Sequence, residues 1–66
     1  MPFPEDFFWV YLDKAAKWRW RLIAKNEEIL ADSGQSFTTK ESCERNIALI
    51  RRVAPVAPIK YYPAKA

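Results

Sequence analysis

One cysteine, no histidine and eight carboxylates are what the 66 residues offer to nucleophilic, acid–base or metal chemistry. A cysteine nucleophile needs its thiolate and a positioned base. Cys43 has no histidine to serve it, and it falls on the apolar stripe of a predicted helix, where a free cysteine acts as a small hydrophobe. A zinc-type ligand set cannot be assembled from one cysteine and no histidine. The carboxylates Glu5, Asp6, Asp13, Glu27, Glu28, Asp32, Glu41 and Glu44 are scattered over the amino-terminal lead-in, the turns and the start of the helix. Turn and cap roles explain most of them, so the sequence points away from an enzyme and indicates no catalytic residue, cofactor, metal or small-molecule substrate.

A second set of residues suits binding better. Aromatics crowd Phe7-Phe8-Trp9-Val10-Tyr11-Leu12, and large apolar residues alternate with arginines at the start of Trp18-Arg19-Trp20-Arg21-Leu22-Ile23-Ala24-Lys25. If both segments are strands, Trp9, Tyr11, Arg19, Arg21 and Lys25 share one face of a sheet. Single-stranded nucleic acid is held that way, by base stacking and phosphate pairing. The same residue types are the usual anchors of protein interfaces.

The elements that would position them follow from periodicity. The second segment alternates large apolar residues with arginines over its first five positions, which is the period of a strand with one buried face. The first is apolar on both faces, as in a sheet covered on both sides. Strands are expected at about 7–12, 18–25 and 28–33, antiparallel and joined by short connections. The first connection, Asp13 to Lys17, lacks the glycine such loops favour; the second, Asn26-Glu27, falls where a two-residue turn belongs and is either strained or of a type other than I′, because glutamate tolerates positive φ poorly. Gly34, the sole glycine, marks a place where the backbone needs positive φ or close approach.

Beyond Phe37 the period changes to that of a helix over about 39–53. Thr38 and Glu41 have the spacing of a capping box. Cys43, Ile47, Ile50 and Ala54 form an apolar stripe that Leu49 and Val53 widen, and Arg51 and Arg52 favour the negative end of the helix dipole. Pro55 ends the helix, and residues 55–66 read as an extended, proline-spaced tail in which Val56, Ile59, Tyr61 or Tyr62 dock on something. The fold expected is α+β: a β-β-β-α domain over 1–54, one helix on one face of a three-stranded antiparallel sheet, with the tail appended.

These motifs carry a resemblance. Tyr11-Leu12-Asp13-Lys14, Trp18 to Ala24, Asn26, Ile29, Ser33-Gly34 and Phe37 to Val53 resemble the YegP-like family of small uncharacterised bacterial and archaeal proteins. The likeness covers about Phe7 to Ala54. It implies the same sheet and helix, and single units that associate with one another; it implies no activity. Glu27 stands where that family has a turn glycine, Asn46 where it has a mid-helix glycine, and Leu49 where it has serine. The proline-rich tail is outside the pattern.

Bulk composition narrows the class. A domain of this length buries only about 60% of the surface its unfolded chain exposes. A lone cysteine and no zinc set leave self-association as the way to add burial. Half the residues are hydrophobic, with three Trp, three Tyr and four Phe, which excludes a disordered chain and leaves apolar surface to cover. A net charge of +3 permits an acidic partner but is small beside the phosphate-neutralising patches of nucleic-acid binders. The first six residues do not have the pattern of a signal peptide, and no apolar run approaches membrane-spanning length, so a cytoplasmic protein with no membrane partner is expected. The leading reading is therefore a non-enzymatic interaction module, homodimeric through its sheet. Nucleic-acid binding on the aromatic and arginine face is the alternative. A third reading is a small inhibitor, encoded by a mobile element, that binds a host protein complex.

Overall fold

The computed structural model describes residues 2–62. Three strands, β1 (Phe7–Leu12), β2 (Trp18–Ile23) and β3 (Ile29–Asp32), form an antiparallel sheet in the order β1-β2-β3, and one helix, α1 (Lys40–Val53), follows. This is the α+β fold that the period-two and helical patterns predict. Residues 63–66 of the expected tail lie outside the described residues.

Register assigns each side chain to a face, because residues directly opposite in an antiparallel pair share one. Phe8, Val10 and Leu12 lie opposite Leu22, Trp20 and Trp18 on one face; Phe7, Trp9 and Tyr11 lie opposite Ile23, Arg21 and Arg19 on the other. The helix packs over β2 and β1 on the first face and leaves β3 uncovered. Its anchor is Trp20, 4% exposed, whose indole N–H donates to Asn46 Oδ1 at 2.7 Å and whose ring meets Phe8 edge-on at 5.3 Å. Cys43 is fully buried beneath the helix. Ile47 and Ile50 are half-buried, whereas Leu49 and Val53 remain exposed, so the buried stripe is narrower than the sequence pattern.

Both hairpins use the same three-residue loop, and neither contains glycine. In the first, Asp13 N–H donates to Lys17 O at 2.9 Å and Ala16 N–H to Asp13 O at 3.0 Å, with Ala16 left-handed at φ 60°. In the second, Ala24 N–H donates to Glu28 O at 2.8 Å and Glu27 N–H to Ala24 O at 2.9 Å, with Glu27 left-handed at φ 74°. A left-handed third residue is how three-residue hairpins match the twist of their strands. The second turn is thus Lys25-Asn26-Glu27 rather than Asn26-Glu27, and β2 stops at Ile23 because Ala24 already closes the loop. β3 carries a bulge between the partners of Leu22 and Ile23, which are Ala31 and Ile29. Gly34, at φ 70°, donates its N–H to Asp32 Oδ1 at 2.9 Å and turns the chain so that Phe37 resumes pairing with Trp18.

Two details of the helix ends differ from the sequence reading. Thr39, not Thr38, is the cap: its Oγ1 accepts the Ser42 N–H at 3.1 Å, one residue later than the capping box of Thr38 and Glu41 places it. Pro55 does follow the end of α1, but it sits inside a short 3-10 turn, Ala54–Val56, so the extended chain begins only at Ala57.

Candidate functional site

The face of the sheet turned away from α1 holds the residues singled out for binding. Trp9 and Tyr11, two apart on β1, necessarily point the same way, and their rings stack at 4.6 Å with 30° between planes. Arg21, opposite Trp9 on β2, lays its guanidinium 5.8 Å from the Trp9 ring and 5.3 Å from the Tyr11 ring. Those distances are within cation–π range, so the two rings and the cation form one unit. Trp9 is 45% exposed, so the unit faces outward.

Arg19 is on the same face but engaged elsewhere. Its Nε donates to Asp13 Oδ2 at 2.6 Å, while the other carboxylate oxygen of Asp13 accepts the Ala15 and Lys17 backbone N–H groups at 2.8 and 3.0 Å. The Arg19 hydrogen bond, followed by the Lys17 amide, holds the Asp13 carboxyl below its usual pKa; Asp13 in turn raises that of Arg19. This arginine pins the first hairpin. Lys25 is in the second turn, beyond the end of β2, where its carbonyl accepts the Phe3 N–H at 2.8 Å and its N–H donates to Asp6 Oδ1 at 2.9 Å. The structure therefore brings Trp9, Tyr11 and Arg21 together, keeps Arg19 beside them and leaves Lys25 off the face.

Residues not picked from the sequence extend the site. A groove of about 430 Å³ adjoins the Trp9 ring, with Phe3, Phe7, Ile23 and Ile29 on its walls. Phe3 arrives because the lead-in folds back onto the sheet, where its ring meets Phe7 edge-on at 5.0 Å. An aromatic between Pro2 and Pro4 was the available signal. Ile29 reaches this face through the β3 bulge, for which the sequence carries no signal. Cys43, on the opposite side, is shut in; burial, reinforced by the Glu44 charge, pushes its thiol up and keeps it protonated. Among the described residues no three His, Cys, Asp or Glu side chains converge on a common point, and no helix is long and apolar enough to cross a membrane.

Comparison with known proteins gives concordant matches. A family model described as a domain of unknown function, DUF1508, matches residues 13–60. A UPF0339 protein of Neisseria meningitidis serogroup B is 35% identical over 54 residues, spanning 82% of this chain and 95% of that protein. Another, from the archaeon Methanosarcina acetivorans, is 42% identical over 52 residues, spanning 79% and 88%. Among solved structures, the NMR solution structure of a protein from Haloferax volcanii superposes with a TM-score of 0.82 at 38% identity, covering 88% of this chain and 97% of that one.

Proposed function

The chain belongs to the YegP-like family, marked by the DUF1508 domain of unknown function, and we propose that it is a non-catalytic cytoplasmic module that binds a second copy of itself through the open face of its sheet. One observation carries this reading: a sheet apolar on both sides has a helix on one side only. Trp20, Ile23 and Cys43 are the buried hydrophobic residues among those described, Ile23 lying on the face turned away from α1, while Phe3, Trp9 and Ile29 stand exposed around the groove. Burying apolar surface contributes about 25 cal/mol per Å², so covering these three by a like surface favours association. The Trp9, Tyr11 and Arg21 unit supplies the residue types that dominate interface energies.

A second reading, single-stranded nucleic acid stacked on the Trp9 and Tyr11 rings, draws on the Arg21 geometry. It has less support, since Arg19 is held by Asp13 and Lys25 is in the turn, which leaves few cations for phosphates. Light scattering decides between them. The full chain is expected to be dimeric at tens of micromolar and a Trp9→Ser, Tyr11→Ser variant monomeric; a monomeric full chain would overturn self-association. Salt-dependent retention on single-stranded DNA, abolished by Arg21→Glu without change of oligomeric state, would favour the second reading.

A further inference from the structure

We propose that the free edge of β1 is a seam for a second copy of this chain: two β1 strands pair antiparallel about Val10 and join two sheets into one. This goes beyond association through the open face and does not need it. β1 is an end strand of the sheet. The backbone polar groups of a strand point alternately to its two sides. Trp18 exchanges backbone hydrogen bonds with Phe37, and the Trp20 carbonyl accepts the Ser33 N–H, so both residues spend their backbone groups on the β3 side. Leu12 and Val10, opposite them on β1, therefore turn their own N–H and C=O groups away from β2, and Phe8 does the same two residues earlier. Among the described residues nothing pairs with that edge. Sheets ordinarily blunt such an edge with charge, proline or a bulge. β3 carries Asp32 and a bulge, whereas β1 is Phe-Phe-Trp-Val-Tyr-Leu without interruption.

The edge is complementary to itself, and that selects the occupant. Pairing about Val10 sets Val10 against Val10 and Phe8 against Leu12, so all three outward residues of each strand find partners. Leu12, 54% exposed in the single chain, gains an aromatic neighbour. On the open face, Trp9 of one copy falls opposite Tyr11 of the other, which extends the stack those rings already make. Charge fixes the direction. Glu5 and Asp6 precede β1; Lys14 and Lys17 follow it, and the one carboxylate among them, Asp13, is held by Arg19. An antiparallel pair sets the acidic start of each strand beside the basic end of the other, whereas a parallel pair sets like against like. The helices leave room, because α1 packs over β2 and β1. The two β2 strands flanking the seam are three strand spacings, or about 14 Å, apart, and helices pack at about 8–10 Å.

Amide hydrogen exchange followed by NMR on the full chain tests this. At millimolar concentration the amides of Phe8, Val10 and Leu12 are expected to exchange about tenfold or more slowly than in a sample dilute enough for light scattering to find single chains. Equal exchange in the two samples would overturn edge pairing. In parallel, a synthetic full chain with an N-methyl group on the Val10 amide loses the central outward donor and keeps every side chain. Its circular dichroism should match the parent, while its association weakens about tenfold or more and the protection of Phe8 and Leu12 disappears. Protection that survives N-methylation would likewise overturn the seam. Association with all three amides exchanging freely removes edge pairing and leaves the open-face reading standing; a full chain that is monomeric at millimolar concentration removes both.

Discussion

Asp13 and Ala16 show at single residues how the first hairpin is held and what it costs. Asp13 ties three partners to one carboxylate: two backbone N–H groups of its own turn and the Arg19 guanidinium. Because its folded pKa lies below the ordinary value of 3.8, the ionised form is favoured by folding, and its stabilisation is complete above that value and lost as pH falls through the folded pKa. Melting temperature followed from pH 7 to pH 2 should therefore drop at acid pH more in the parent than in Asp13→Asn, and Asp13→Asn should be the less stable at pH 7. Parallel pH profiles would contradict this role. Ala16 is left-handed at φ 60°, a conformation glycine adopts without penalty. Ala16→Gly is expected to raise stability to urea by about 1 kcal/mol; an unchanged or lower stability would show that the loop relaxes another way.

At the scale of elements, α1 is fixed to the sheet through Asn46, whose amide oxygen accepts from the buried Trp20 indole and so gives that nitrogen a partner. Asn46→Leu leaves a buried donor unpaired and should cost about 1–3 kcal/mol by urea denaturation; a neutral effect would mean that water or another group takes over. The strands and the helix were legible because hydrophobic periods of 2 and 3.6 are imposed by the faces they bury, as in Trp18 to Leu22 and Cys43 to Ile50. The hairpin loops were less so: Ala16 and Glu27 occupy positions whose usual marker, glycine, is absent, and the tertiary fold imposes the conformation against local preference. Two adjacent threonines made the cap ambiguous by one residue, and only the Ser42 amide picks Thr39. The β3 bulge and the Asp13 to Arg19 pair depend on contacts between segments that no local pattern records.

The whole molecule is a sheet with one helix on it and a second apolar face left open. Alternation along β1 and β2 placed Trp9, Tyr11 and Arg21 on that face in the sequence; Phe3 and Ile29 joined them only through the folded-back lead-in and the bulge. The chain's size makes this arrangement demanding, since a domain so short has little core to spare, and Val56, Ile59, Tyr61 and Tyr62 are exposed as well. The proposed association would cover the open face. The most direct test is isotope-filtered NMR on an equimolar mixture of labelled and unlabelled full chain. Intermolecular signals from the Trp9 indole and the Ile29 methyls are expected; intermolecular signals confined to α1, or none at millimolar concentration, would contradict association through the open face.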